Sequence, residues 1–359
     1  MIRPLNIRQG FLPMTTAARG FAAQSATAPI APFSFERREP GPDDVSIEIL
    51  YAGICHSDIH TARGEWPGTL YPCVPGHEIV GRVTRVGANV KKFKAGDLAG
   101  VGCMVDSCRS CSSCQEGLEN YCDNGFTGTY NGNGVTNTYG GYSDHIVVDQ
   151  RFVLSVSEKL DIKAVAPLLC AGITMYSPLR HWGAGKGMRV GIIGLGGLGH
   201  MGIKLAAAMG AHTTMITRSK GKEKDAASLG ATDVLLSSDE KQMAQAAGTF
   251  DLLINTIPSG HDIDPYNNLL KRDGVQVVVG CVGPLSSPPN MASMILRRRT
   301  LAGSVIGGIP ETQEMLDFCA EHNIVSDVEI IKPDQINEAW DRVVKSDVKY
   351  RFVIDMKAA

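Results

Sequence analysis

The 359-residue sequence predicts an α/β protein of two domains: a doubly wound parallel sheet with helices on both faces, and a mainly β partner. Three observations carry this. The length exceeds what one typical core holds. From Arg189 onward, short apolar runs alternate with helical patterns. From Val45 to the turn at Gly96-Asp97, the strands are short and punctuated by Gly and Pro.

Charge and composition exclude several classes. The formal net charge is −2 and there is no basic stripe, so nucleic acid is not an expected partner. No apolar run approaches the roughly 18 residues needed to span a membrane. Residues 1–31 carry Arg3, Arg8 and Arg19 and no acid, and lack the apolar core of a secretion signal. That composition faintly resembles a transit peptide, but the plainer reading is a flexible leader, with Met14 as an alternative start, on a cytoplasmic protein.

In chain order, Val45–Ala52 reads as a strand that ends at Gly53-Ile54-Cys55-His56-Ser57-Asp58-Ile59-His60. Ile79–Val86 is a second strand, closed by a turn at Gly87. Between these strands lie Cys55 and His77, soft and borderline zinc ligands, with Glu78 beside His77. Cys170 follows far downstream, and no local spacing joins it to the other two. As isolated residues, Cys55 and Cys170 read equally well as buried core thiols.

Four of the ten cysteines fall within fifteen residues: Cys108, Cys111, Cys114 and Cys122, spaced C-x2-C-x2-C-x7-C. Without a secretion signal, a metal explains them better than disulfides. Four thiolates suit a closed tetrahedral zinc site, which stabilises a lobe but leaves no open position for catalysis. An iron–sulfur cluster uses the same ligand type.

A helical pattern precedes Arg189, and Val190, Ile192 and Ile193 form the apolar run of a buried parallel strand. The strand ends in Gly194-Leu195-Gly196-Gly197-Leu198-Gly199, and a helix spans 200–209. This is the Rossmann-type dinucleotide fingerprint: Gly194 for the tight turn, Gly196 for pyrophosphate approach, Gly199 for helix-on-strand packing. The first helical amides then face the phosphates. Strands follow at Thr213–Thr217, Val234–Leu236, Asp251–Thr256, Val275–Gly280 and Leu301–Ile306. Helices intervene up to Gly230, over Asp239–Ala247 and near Pro265–Leu270, and Glu311–His322 is an amphipathic helix. The domains expected are 32–162 with 309–359, and 163–308.

The end of the second nucleotide-domain strand decides which nucleotide binds. An NAD site usually carries an acid there, to bond the ribose 2′-OH. This chain reads Thr217-Arg218-Ser219-Lys220-Gly221-Lys222 instead, with Glu223 just beyond. Hydroxyls and cations suit a 2′-phosphate, so NADP(H) is expected, with Thr217, Arg218, Ser219 and Lys222 as its contacts.

Together, GICHSDIH (53–60), PGHEIVGRVTRVG (75–87), the four-cysteine segment, LLCAGITMYSPLRHW (168–182) and GLGGLGHMGIK (194–204) make the family legible. From about residue 33 to 354 the sequence resembles the zinc-dependent medium-chain alcohol dehydrogenases. Within them it resembles the cinnamyl-alcohol-dehydrogenase group and its broad-range bacterial aldehyde reductases. The resemblance implies a GroES-like β domain and two zinc ions. Cys55, His77 and Cys170 would hold the catalytic zinc, and the four-cysteine lobe the structural one. It implies further that Glu78 can approach or replace a ligand, that Ser57 passes the substrate proton, and that His60 relays it to solvent. By the same resemblance Asp58 orients a zinc-bound histidine, and Thr174 lies near the nicotinamide. The resemblance implies that the zinc would polarise an aldehyde carbonyl and NADPH deliver hydride to its carbon, or the reverse from a primary alcohol.

The pocket positions match Trp66, Cys103, Phe126 and Ile306, apolar walls for an aryl or medium aliphatic aldehyde. Trp66 reads equally as core. Phe126 stands where plant lignin enzymes often carry a different large residue, and the chain as a whole resembles the bacterial members, so a dedicated role in lignin synthesis is not expected. An NAD-linked primary alcohol dehydrogenase is the nearest alternative, and a non-enzymatic zinc-lobe binding protein a remote one. Polyol dehydrogenases lack a cysteine at the position of Cys170, and metal-free quinone reductases need none of the three ligands. Relatives of this kind are commonly homodimers joined through the sheet edge, and the resemblance implies a homodimer here through about Met291–Ile306.

Overall fold

Small buried residues on one strand and outward charges on the next build a hairpin where a flexible leader was expected. The computed structural model describes residues 15–133, 137–280 and 283–358. In it β1 (Thr15–Ala22) pairs antiparallel with β2 (Ala31–Arg38), from Thr15–Arg38 to Ala22–Ala31. The leader expected through residue 31 is therefore ordered from Thr15, and Arg19 lies in a strand. Long-range contacts explain this. The Phe21 amide donates to Tyr142 O, and Arg37 donates to Tyr139 O, Gly140 O and Ser143 Oγ. Gly20 permits the approach, since a Cβ there would lie 2.5 Å from Tyr142 O. Arg3, Arg8 and Met14 lie outside the described residues.

The first sheet starts with β3 (Asp44–Ile54), followed by α1 (His56–Ala62), β4 (Ile79–Val86) and β5 (Leu98–Val101). The cysteine lobe contains β6 (Met104–Asp106), α2 (Ser112–Gln115) and β7 (Thr127–Gly128). Then come β8 (His145–Asp149), β9 (Leu154–Ser155) and α3 (Ala171–His181). The second sheet and its helices are β10 (Arg189–Ile193), α4 (Gly197–Ala208), β11 (His212–Thr217), α5 (Glu223–Ser228), β12 (Asp233–Leu236), α6 (Glu240–Gln245), β13 (Phe250–Asn255), α7 (Asp264–Asn267), β14 (Leu270–Val278), α8 (Met291–Ile295) and β15 (Thr300–Gly303). The chain returns through α9 (Ile309–His322), β16 (Val328–Ile331), α10 (Ile336–Val344) and β17 (Arg351–Asp355).

The six-stranded sheet is parallel in the order β12-β11-β10-β13-β14-β15, the Rossmann order, with β10 central. The seven-stranded sheet runs β16-β17-β3-β4-β5-β9, with β8 also on β3, and is largely antiparallel. Two expected boundaries move. The helix near Pro265–Leu270 is a single turn, because Leu270 already pairs with Phe250 and opens β14. The last strand stops at Gly303, and Ile306 stands outside it at φ +37°, in a turn before Gly307-Gly308. Among the described residues no helix is long and apolar enough to cross a membrane.

One buried core joins both sheets, from Ile47, Ile79 and Phe352 through Met175 to Ile192 and Met201. Helix α3 lies in its middle. Gly202 of α4 has no side chain because Met175 of α3 fills that space; a Cβ would lie 2.3 Å from Met175 Cε. Cys170 is the N-cap of α3, so the packing that unites the sheets also places one of the candidate ligands.

Candidate active site

Three chain segments converge where β3 ends. Cys55 is the last extended residue before α1, His77 and Glu78 immediately precede β4, and Cys170 heads α3. Their donor atoms lie within 4.8 Å of one another, and the Cys55 and Cys170 sulfurs are 4.0 Å apart. Tetrahedral Zn–S bonds of about 2.3 Å put sulfurs about 3.8 Å apart, so the spacing and the donor set fit zinc.

Asp58 organises the cluster from behind. It is fully buried; Oδ1 faces His77 Nδ1 at 2.9 Å and accepts the Gly76 amide at 3.1 Å, and Oδ2 accepts the Cys55 amide at 2.9 Å. Holding Nδ1 in this way leaves His77 Nε2 as the ligating nitrogen. Among the thiols, the neighbouring Cys170 and then His77 hold Cys55 well below the ordinary thiol range. Cys103, and then Cys55, push Cys170 up, and Cys103 Sγ lies 3.7 Å from Leu169 O, next to Cys170 in the chain.

Arg351 was not legible in the sequence. It reaches from β17 to donate through Nη2 to both Glu78 oxygens, at 2.6 and 2.7 Å, and through Nε and Nη2 to Ile54 O. Burial pushes the Glu78 carboxyl up, and Arg351 opposes that shift. A buried carboxylate calls for such a partner, but nothing in the sequence says which of 35 Lys and Arg supplies it. Arg351 Cδ also lies where a Cβ on Gly197 would fall, at 2.7 Å. One side chain thus touches both the ligand cluster and the dinucleotide turn.

The other site residues fall around this point. Ser57 Oγ is 3.6 Å from Cys55 Sγ. His60 sits half buried, with Nδ1 2.5 Å from Glu65 Oε2 and its ring 5.2 Å from that of Trp66. Thr174 is buried in the first turn of α3, and its amide donates to Cys170 O. Cys103 and Ile306 line one small cavity of about 10 Å³ with Leu169, Ile173 and Gly307. Phe126 is half buried against the core.

The glycines behave as their spacing requires. Gly194 turns the chain at φ +97°. A Cβ on Gly199 would lie 2.0 Å from Gly194 O, so the helix packs directly on the turn. Gly196, the N-cap of α4, has open space where its side chain would be, room for a pyrophosphate. Leu198 is half buried beside it in the first turn of α4. At the end of β11, Thr217 Oγ1 accepts the Ser219 amide, and Ser238 Oγ donates to Arg218 O. Arg218, Ser219 and Lys220 are exposed there, and half-buried Lys222 is the N-cap of α5. Open space at Gly196 and this run of donors fit a phosphorylated dinucleotide.

The four-cysteine cluster is a second, separate site. Its sulfurs lie within 4.8 Å of one another, with Cys108–Cys114 at 3.9 Å and Cys111–Cys122 at 4.0 Å. Backbone amides of Cys111 and Cys108 point at the sulfurs of Cys108 and Cys122, each at 3.4 Å, the pattern of a thiolate knot built for a metal.

A Rossmann sheet and a β lobe with an open Cys/His/Glu site and a closed four-thiolate site define a two-zinc, NAD(P)-linked oxidoreductase of alcohols and aldehydes. The chain belongs to the zinc-dependent medium-chain alcohol dehydrogenases: residues 41–158 match the alcohol dehydrogenase GroES-like domain and residues 197–321 the zinc-binding dehydrogenase domain. It is 56% identical to aldehyde reductase YahK of Escherichia coli, over 94% of this chain and 97% of that protein. It is 53% identical to NADP-dependent alcohol dehydrogenase C of Mycobacterium tuberculosis, over 96% and 100%. Among solved structures, a cinnamyl alcohol dehydrogenase of Sorghum bicolor superposes with a TM-score of 0.92 at 46% identity, over 96% and 99% of the two chains. The Helicobacter pylori enzyme complexed with NADP(H) gives 0.89 at 42%, over 96% and 100%.

Proposed function

We propose that this protein is an NADPH-dependent aldehyde reductase for aryl and medium aliphatic aldehydes, working in reverse on the primary alcohols. The observation that carries the reading is Arg351, which touches Glu78 of the ligand cluster and lies against Gly197 of the dinucleotide turn, so that the two sites adjoin. The names of the Escherichia coli and Mycobacterium tuberculosis relatives support it.

Zinc held by Cys55, His77 and Cys170 supplies Lewis acidity toward the carbonyl oxygen. NADPH supplies the hydride. The chain's own residues do the rest. Ser57 gives its proton to the substrate oxygen; its distance of 3.6 Å from Cys55 Sγ supports that role. His60 restores the proton from the half-buried rim, where Glu65 holds its Nδ1. Asp58 fixes the His77 ring and the Cys55 backbone together, and Glu78 stands poised as an alternative oxygen ligand. Thr174 contacts the nicotinamide from the first turn of α3, close to Cys170. Gly194, Gly196, Gly197, Leu198 and Gly199 cradle the pyrophosphate, and Thr217, Arg218, Ser219 and Lys222 receive the 2′-phosphate. Trp66, Cys103, Phe126 and Ile306 wall the substrate; Cys103 and Ile306 already share a cavity.

The same reading divides the chain into a catalytic part, residues 32–162 with 309–359, and a nucleotide part, 163–308. It places the protein in the cytoplasm, where a reducing milieu keeps the free thiols of both clusters available to metal. It pairs two copies through the β15 edge, beside which Met291, Ile295 and Leu296 are exposed.

The test is the initial rate of cinnamaldehyde reduction by zinc-replete protein, with NADPH and NADH at equal subsaturating concentrations. A ratio of about tenfold or more for NADPH, roughly 1.4 kcal/mol of transition-state discrimination, is expected. Glu223 in the first turn of α5 favours a second reading, the NAD-linked alcohol dehydrogenase. Equal or reversed rates would establish that one.

A further inference from the structure

The four-thiolate lobe touches more than itself. Its short turn Glu119–Tyr121, just before Cys122, lies against Val305–Pro310, the segment between β15 and α9. Beyond the end of β15 the sheet no longer pairs the backbone, and its partly buried peptide groups take other partners. Three consecutive lobe side chains supply them. Asn120, 6% exposed, donates from Nδ2 to Val305 O at 2.9 Å. Glu119 Oε2 accepts the Ile309 amide at 2.9 Å, and the Tyr121 hydroxyl accepts the Val305 amide at 3.4 Å. The backbones also interlock: a Cβ on Gly308 would lie 1.7 Å from Gly117 O, and one on Gly117 2.9 Å from Pro310 Cγ.

The other side of the segment faces the site. A Cβ on Gly307 would lie 2.7 Å from Ile173 Cδ1, three residues after Cys170. Ile306, between the two contacts, is held at φ +37°, where a β-branched residue is strained and persists only if its surroundings hold it. It lines a cavity with Cys103 and Leu169.

We propose that Glu119 and Asn120 are positioning residues for the substrate wall: through them the four-cysteine lobe fixes Ile306 opposite Cys103, and so sets which aldehydes fit. The three bonds hold the backbone on both sides of the strained pocket residue, at Val305 and at Ile309. The inference rests on the reading of Ile306 as a pocket wall of an aldehyde reductase.

The experiment uses the full-length, zinc-loaded protein and the variants N120A, E119A and E119Q. The ratio of kcat/KM for cinnamaldehyde to that for propanal is expected to change at least fivefold in N120A and E119A. The change lies in KM for the bulky aldehyde, while kcat for propanal stays within twofold. E119Q, whose amide oxygen still accepts the Ile309 amide, stays within twofold of wild type. Zinc content remains two per chain throughout. In an I306A background, N120A no longer alters the ratio. Hydrogen exchange of amides 305–309 rises at least tenfold in N120A and E119A.

A ratio unchanged within twofold, with a lower Tm, overturns the proposal whether or not exchange rises, because the lobe then acts on stability alone. So does an N120A effect that persists in I306A. If N120A does not fold, E119A against E119Q carries the same comparison. If wild type reduces neither aldehyde, the functional reading fails by itself. The exchange measurement then decides the clamp: faster exchange confined to 305–309 sustains it, and unchanged exchange overturns it.

Discussion

Arg351 shows how a single side chain governs a site built from distant segments. Its guanidinium and the Glu78 carboxylate are both buried, and each is the other's main counter-charge. Removing one partner of such a pair leaves an uncompensated charge and costs about 3–5 kcal/mol. R351M is therefore expected to unfold at a clearly lower urea midpoint, and the double variant R351M/E78Q to recover at least half of the loss. An R351M protein as stable as wild type would show that Glu78 is neutral or solvated. The same residue marks the limit of sequence reading. Cys108, Cys111, Cys114 and Cys122 declare a metal site through local spacing. Cys55, His77 and Cys170 share no spacing, and only family resemblance joined them; the fold then brings them within 4.8 Å. Arg351 lies 273 residues from Glu78 and answers to no motif, so only the packing of β17 on β3 reveals it.

Elements were legible to the extent that their own residues specify them. The central strand of the parallel sheet is a near-continuous apolar run, and Val190–Ile193 is buried throughout. Strand β2 exposes every second residue, and β1 carries small residues; both are held by contacts to Tyr139–Ser143 over a hundred residues away. Local pattern could not foresee them. Strand β15 ends earlier than its apolar pattern for a similar reason: Val305 is apolar, but its hydrogen bonds go to the cysteine lobe. The glycine turn offers a test of element-level reading, because two glycines three residues apart do different work. In G199A a new Cβ meets Gly194 O, and overpacking of this kind costs about 1–3 kcal/mol. In G196A the new Cβ meets only open space, so the fold is expected to keep its Tm within a degree or two. There the methyl takes up pyrophosphate room, and KM for NADPH rises about tenfold. Comparing Tm and KM for the two variants separates packing from binding. Equal effects of both variants on both quantities would refute the assignment.

At the scale of the whole molecule, the rhythm of strands and helices predicted two sheets, but not how they are tied. Much of that tie runs through α4. His200 Nδ1 faces Gly196 O at 3.3 Å and Nε2 faces Ser326 Oγ at 3.0 Å, so Nδ1 donates and Nε2 accepts. Its ring stacks on Tyr350 at 4.9 Å, and one turn later Lys204 donates to Val325 O and Asp327. Ser326 and Tyr350 belong to the return segment that carries β16 and β17 back to the first sheet, so His200 fastens the dinucleotide helix to the catalytic half. Burial, then Lys204, pushes its pKa down to about 3. The unfolded chain takes up that proton near 6.5. Between these values the unfolded state binds more protons than the folded one. The stability from keeping His200 neutral is therefore complete above about pH 6.5 and is lost at roughly 1.4 kcal/mol per pH unit below it. The variant H200N has no titrating ring, while the other groups titrate as before. Urea unfolding of both proteins at pH 7.5 and 5.5 should show the stability of wild type relative to H200N falling by about 1.4 kcal/mol. If that relative stability is the same at both pH values, His200 is already charged or solvated in the folded protein, and the two halves are joined by something other than a buried neutral imidazole.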